Sequence, residues 1–229
     1  MFDISRLNVC YGESHVIHDI SFQVQARESV AIMGRNGMGK TTLLKSLIGL
    51  LPARSGDIQL HGRALQGLPS HRRVQHGLAF VPQGRMVFPF LTVEQNILSG
   101  AEHSGHREVP DYIHRFFPVL KEMKHRKAGN LSGGQQQMLA IARALISEPK
   151  VLILDEPTEG IQPSIIKELA QTLNVLRRER GFAVVVSEQV LSFALDLADR
   201  FLVMDRGRIV HEEARANLDQ EKVKSFLTV

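Results

Sequence analysis

Apolar and polar residues alternate through the first part of the chain. Ile4, Leu7 and Val9, then Ile17, Ile20, Phe22 and Val24, predict antiparallel strands with one face in water. Ser29–Met33 reads as a short apolar strand. A glycine-rich turn follows it, and then a helical stretch from Lys40 to about Ile48 that Gly49 and Pro52 end. From about Arg85 to Glu148 the character changes to phenylalanines, prolines and helical periods. Thr92 followed by Gln95 predicts a capping box before a short helix, and Gln135–Ser147 carries a strong helical period. This segment, about 85–148, reads as a helical subdomain inserted into an α/β core formed by about 1–84 and 149–229.

The core pattern resumes at Val151. Four apolar residues ending in Asp155 predict a strand buried on both faces of a parallel sheet. Pro163–Arg180 reads as a helix with proline in its first turn, and Ala183–Val186 as another buried strand. Phe201–Met204 and Arg208–Val210 flank Asp205-Arg206-Gly207, a hairpin-like turn. From Asn217 onward the pattern is that of a short amphipathic helix.

Composition narrows the class. The 229 residues suit one large domain, or a core with an inserted subdomain. An apolar content of 43% and a charged content of 23% argue for a globular fold over disorder. No window approaches the run of apolar residues that a membrane-crossing helix needs, and Met1–Ile4 lacks the basic and apolar runs of a secretory signal. Cys10 is the only cysteine, which excludes an internal disulfide and a cysteine zinc site and favours the cytosol. The net charge of +4 is carried by dispersed basic residues, so it admits an anionic ligand without demanding nucleic acid. His103 and His106 have a loose ligand spacing, but no carboxylate or cysteine pattern beside them supports a metal.

Candidate chemistry centres on Gly34-Arg35-Asn36-Gly37-Met38-Gly39-Lys40-Thr41. It fits G-x-x-x-x-G-K-[ST] at every fixed position, with a strand before it and a helix after it. Glycines let backbone N–H groups converge on phosphate oxygens, and the helix that follows turns its positive end to the same anion. Lys40 supplies a full charge to the β- and γ-phosphates. Thr41 offers a hydroxyl to Mg²⁺, a hard ion that prefers oxygen, and Thr42 continues the loop into the helix. At the end of the second apolar strand, Asp155 is placed to hold Mg²⁺ through its waters, and Glu156 to orient or deprotonate an attacking water.

Leu131-Ser132-Gly133-Gly134-Gln135 lies between these two motifs. Ser132 and Gln135 fit a helix capping box, yet a capped helix does not require two glycines; glycines there also let an anion approach the helix N-terminus. With the phosphate loop upstream and Asp155-Glu156 downstream, the whole chain resembles the nucleotide-binding domain of ABC ATPases. The resemblance implies a RecA-like α/β core, an antiparallel β subdomain and an inserted helical subdomain that carries the Leu131–Gln135 signature. It implies ATP and Mg²⁺ as ligands. Tyr11 matches the aromatic that stacks on adenine, Gln83 the glutamine that senses Mg²⁺ and the γ-phosphate, and Glu159–Gln162 the loop that touches an opposite subunit. Gln162 stands where the family usually has Asp. Gln189, preceded by Glu188, stands where the family commonly has a histidine; a glutamine can hydrogen-bond a γ-phosphate oxygen but cannot become cationic.

The implied mechanism has two domains sandwiching two ATP molecules head to tail, each phosphate loop facing Ser132, Gly133, Gly134 and Gln135 of the other subunit. The second subunit is the same or a related chain. ATP closes the dimer and hydrolysis opens it. Permease helices ride near Gln83, and a periplasmic or extracellular solute-binding protein acts indirectly. The implied place is cytoplasmic, on the inner face of the membrane. Lys40 and Ser132 lie 92 positions apart, too few for the coiled coils of DNA-repair ATPases, and a tandem translation-factor ATPase needs two such cassettes. A nucleotide-gated regulatory or nucleic-acid module is the reading from another class, and the weak net charge argues against it.

Arg35-Asn36-Gly37, Val81–Arg85 with Phe88-Pro89 and Leu91-Thr92-Val93, and Glu188-Gln189 resemble the branched-chain amino acid and urea importer group. Within it, Glu156–Ile166 and Leu50–Gly56 look most similar to the urea importer ATPase. Urea import is therefore the expectation, with branched-chain amino acid import as the alternative.

Overall fold

The computed structural model describes residues 1–227. Along the chain, β1 (Phe2–Tyr11), β2 (Ser14–Val24), β3 (Ser29–Met33), α1 (Lys40–Ile48), β4 (Ser55–Leu60), β5 (Arg63–Ala64), α2 (Ser70–Gln75) and β6 (Leu78–Val81) come first. A helical stretch follows: α3 (Val93–Leu98), α4 (Asp111–Phe116), α5 (Pro118–Glu122) and α6 (Gly133–Leu145). The chain then runs through β7 (Val151–Asp155), α7 (Pro163–Arg180), β8 (Ala183–Glu188), α8 (Leu191–Leu197), β9 (Arg200–Asp205), β10 (Arg208–Ala214) and α9 (Gln220–Leu227). The expected tail helix is α9; Thr228 and Val229 lie outside the described residues.

Two sheets form. One is antiparallel, in the order β2-β1-β4-β5. The other has the order β10-β9-β3-β8-β7-β6 and is parallel except for the β9–β10 hairpin at its edge. Every residue of β3, β7 and β8 is buried, which is why these strands read as unbroken apolar runs. Their alternate side chains serve different cores. Ala31, Met33, Leu152, Leu154, Val184 and Val186 pack with the helical stretch and α7. Val30, Ile32, Val151, Ile153 and Val185 pack with α1 and the antiparallel sheet.

Both capping boxes form. Thr92 caps α3 through Gln95, and Ser132 caps α6 through Gln135. The cap starts α6 at Gly133, two residues ahead of the periodic run, because it satisfies N–H groups that a helix start leaves open. The sequence pattern did not reveal β4, α2 or α8. β4 buries only Ile58 and Leu60 fully, so its alternation is short, and α2 is almost wholly polar.

α2 is held by one buried side chain. Arg73 donates from Nη1 to the carbonyls of Ser46 and Leu47, each at 2.8 Å, and from Nε to Leu68 at 3.0 Å. The first two are C-terminal carbonyls of α1, the helix whose other end carries the phosphate loop, so Arg73 fixes α1 along its axis. A cation suits that negative end. Burial pulls the guanidinium below its ordinary pKa. Replacing Arg73 by Met strands these carbonyls and is expected to cost about 2–3 kcal/mol in urea unfolding. A loss below about 0.5 kcal/mol would put Arg73 with ordinary surface positions.

Candidate functional site

The phosphate loop joins β3 to α1. Gly39 precedes α1 in a left-handed conformation at φ 99°, and no side chain caps the helix, so its first N–H groups stay open toward the loop. A Cβ on Gly39 would also meet the Ile17 Cδ1 tip at 2.9 Å, but it is the backbone angle that requires glycine. Gly37, Gly39, Asn36, Lys40, Thr41, Thr42, Gln83, Glu156 and Val16 line a cavity of about 260 Å³.

Lys40 is 4% exposed. Its ammonium donates to the Gly34 carbonyl at 2.7 Å and the Arg35 carbonyl at 3.0 Å, and lies 3.3 Å from Glu156 Oε1. Glu156 gathers the rest. Gln189 Nε2 donates to Glu156 Oε1 at 2.9 Å and to Asn36 Oδ1 at 2.7 Å, and Gln83 Nε2 donates to Glu156 Oε2 at 3.3 Å. Glu156 takes a left-handed backbone, φ 45°, that costs a non-glycine residue about 1–2 kcal/mol. Its N–H donates to the Ser187 carbonyl at 3.1 Å and Oγ at 3.2 Å, which hold the strained turn. An amide-clasped carboxylate beside a buried ammonium can accept a proton from a water next to a bound phosphate.

Asp155 carries the second anchor. Its Oδ1 accepts from Ser187 Oγ at 2.6 Å and Thr41 Oγ1 at 3.1 Å. Its Oδ2 is buried without a partner. Burial pushes the Asp155 carboxyl above its ordinary pKa, against the hydrogen bonds from Ser187 and Thr41. An orphaned, desolvated carboxylate oxygen next to a threonine hydroxyl is a hard donor set that fits Mg²⁺.

Some expected residues stay apart. Tyr11 ends β1 half-exposed and does not line the phosphate cavity. Neither do Ser132, Gly133, Gly134 and Gln135, at the start of α6. The glycine pair also has a reason within the chain. A Cβ on Gly133 would press the Gly160 carbonyl at 3.1 Å, and one on Gly134 would meet Ile165 at 2.9 Å. The start of α6 thus packs too closely on the segment around Gly160 and Ile165 for side chains, besides any approach of an anion.

Several residues take supporting roles that the sequence does not mark. Glu188 is buried and accepts from Thr158 Oγ1 at 2.5 Å and from the N–H groups of Thr158, Gln189 and Val190 at 3.2, 2.8 and 2.9 Å. It ties Gln189 to the loop after Glu156. Burial raises its pKa despite these bonds. Arg85 Nη2 donates to the Glu159 carbonyl at 2.6 Å, and Arg143 Nη2 to the Met86 carbonyl at 2.9 Å. Together they clamp the left-handed run Gly84-Arg85-Met86 that follows Gln83. A carboxylate closing the third buried strand, β8, was the one available signal for Glu188; nothing local marked the arginines.

Residues 17–159 match the ABC transporter family. A high-affinity branched-chain amino acid transport ATP-binding protein, BraG of Pseudomonas aeruginosa, is 43% identical over 98% of this chain and 97% of its own. A probable branched-chain amino acid transport ATP-binding protein, LivF of Archaeoglobus fulgidus, is 37% identical over 96% of this chain and 95% of its own. A nucleotide-free ATP-binding cassette from an ABC transporter superposes with a TM-score of 0.86 at 25% identity, over 99% of this chain and 94% of that one. A dimeric cassette in a post-hydrolysis state with ADP and phosphate gives 0.84 at 24% identity, over 95% of this chain and 100% of that one.

The Asp155 geometry makes a thermodynamic prediction. A carboxyl whose folded pKa is raised binds its proton more readily folded than unfolded. Its burial therefore costs stability above the unfolded pKa, and the cost grows as pH rises through the folded one. Asp155→Asn is expected to raise the thermal midpoint at neutral pH, with the gain vanishing below the ordinary carboxylate range. A lower midpoint at neutral pH would mean that the charged form is the better paired one.

Proposed function

This chain belongs to the ABC transporter family as the ATP-binding and ATP-hydrolysing subunit of an importer, and from that premise we propose that it energises uptake of branched-chain amino acids. The observation that carries the solute class is the identity to BraG along nearly the whole of both chains. Urea import, the first expectation from Glu156–Ile166 and Leu50–Gly56, becomes the second reading, since the amino acid relatives favour the alternative. No residue of this chain is expected to touch the solute, which passes through permease subunits.

In this reading residues 1–84 and 149–229 bind ATP and 85–148 carry the signature. The open N–H groups before α1 and the Lys40 ammonium take the β- and γ-phosphates, with Gly34, Asn36, Gly37, Gly39 and Thr42 shaping the loop. Thr41, Asp155 and Gln83 would hold Mg²⁺, whose part is to neutralise phosphate charge. Glu156 takes a proton from the attacking water while Gln83 and Gln189 hold its two oxygens. Gln189 positions and does not carry a proton, because an amide side chain has no titrating group. Tyr11, exposed at the end of β1, offers its ring to adenine.

Ser132, Gly133, Gly134 and Gln135 meet the nucleotide from a second subunit, the same or a related chain, since they do not line their own cavity. ATP thereby joins two cassettes head to tail, and hydrolysis frees them. Met86, Phe88 and Phe90 are 67%, 50% and 83% exposed just after Gln83, an apolar patch suited to helices of a permease. None of the described helices is long and apolar enough to cross a membrane, so attachment at the cytoplasmic face rests on that partner. A solute-binding protein outside acts on the permease.

Two experiments test this. Glu156→Gln is expected to slow hydrolysis about 10²–10⁴-fold, keep ATP binding and accumulate an ATP-bound dimer in light scattering. Only monomer at saturating MgATP would count against the sandwich. For the solute, labelled leucine and labelled urea uptake are compared in wild-type cells, a deletion and the deletion carrying Lys40→Ala. Leucine uptake alone should be lost and not rescued; selective loss of urea uptake would restore the second reading.

A further inference from the structure

A second cavity, of about 290 Å³, lies at the far end of the parallel sheet from the phosphate loop. Val151 and Ala183, the first residues of β7 and β8, line it, whereas the phosphate site forms beyond the last residues of these strands. Three parts of the chain meet there. Phe2 and Leu60 come from the antiparallel sheet, Tyr112 and Leu145 from the helical stretch, and Leu176 and Phe182 from α7 and the turn after it. Of these only Tyr112 is not fully buried, so the floor is apolar.

The rim is charged, and its one carboxylate is already paired. Glu148 Oε1 lies 3.2 Å from Arg180 Nη2 and 3.4 Å from His106 Nε2. The Arg180 guanidinium rests 4.3 Å over the Tyr112 ring, and the Tyr112 hydroxyl donates to the Leu145 carbonyl at 2.8 Å. Glu148 holds this position with a left-handed backbone, φ 51°, a strained conformation of the kind that collects at ligand sites. Lys150 also lines the rim, and no carboxylate lies within ion-pair distance of it among the described residues. Partial burial, and after it the Met1 ammonium and then Lys150, hold the His61 imidazole on the same rim below its ordinary pKa.

We propose that this cavity is a second ligand site, for a small organic anion whose apolar body fills the pocket and whose carboxylate-type head meets Lys150. The volume falls at the lower end for small-molecule sites, and the lining sets buried apolar side chains beside Gln25, His61, Glu148, Lys150 and Arg180. The charge sign follows from the rim. A cation would face Lys150, and the Glu148 carboxylate is engaged by Arg180. Around that one carboxylate the rim gathers Arg180, exposed Lys150 and the Met1 ammonium beside His61, so its net charge is positive. An occupant would touch both sheets and the helical stretch together. The site is separate from the nucleotide, so both ligands bind at once.

The test uses the full chain and calorimetric titration with 3-phenylpropanoate, an aromatic carboxylate of suitable size, against its uncharged amide. One molecule of the acid should bind per chain, unaltered by saturating ADP, and about fivefold more tightly than the amide. Lys150→Met should weaken the acid about fivefold, leave the amide unchanged and keep ATP hydrolysis at the wild-type rate. Displacement by ADP would assign the anion to the phosphate loop and overturn the proposal. So would equal affinities for acid and amide, an unmoved affinity in Lys150→Met, or no saturable binding at millimolar probe.

Discussion

Burying the Lys40 ammonium is the constraint around which the phosphate site is arranged. At 4% exposure it has lost most of its water and needs partners that replace it. Two loop carbonyls and the Glu156 carboxylate supply them. Removing one member of such a buried pair typically costs about 3–5 kcal/mol, because the other is left without a counter-charge. That demand explains the strained turn at Glu156. The strain is offset by the Glu156 N–H donating to the carbonyl and Oγ of Ser187, on the strand that lies between β3 and β7. Gln83 and Gln189 then find the carboxylate already in place.

A second set of buried charges supports the first. Asp155 and Glu188 end adjacent strands, and burial raises both carboxyls. Glu188 is the satisfied one, closed by four donors from its own turn and the Thr158 loop. Asp155 keeps an oxygen unmatched. Two chemically identical groups thus divide their work by environment. One fixes the geometry of Gln189 and the loop after Glu156, and the other remains a donor in search of a cation.

Legibility in the sequence followed the range of the interaction. β3, β7 and β8 could be read because burial on both faces leaves an unbroken apolar run. The phosphate loop could be read because its glycines and Lys40 act within a few residues of one another. β4 and α2 could not, since β4 takes its order from pairing with β1 and α2 from Arg73 reaching back to α1. The clamps on the segment after Gln83 were silent for the same reason: Arg85 reaches Glu159 and Arg143 reaches Met86 across long stretches of chain. The signature glycines were half legible. The cap through Ser132 and Gln135 was visible, but the crowding against Gly160 and Ile165 depends on how α7 is placed.

The amide clasp on Glu156 sets how the phosphate site meets a change of pH. None of the residues lining the phosphate cavity is a histidine, and the group facing Asn36 and Glu156 is the Gln189 amide. An imidazole at that position would gain and lose its proton across the physiological range. An amide keeps one form throughout. This contact therefore does not itself switch with protons, and any response of the site to acid falls to the buried carboxyls Asp155 and Glu188 behind it.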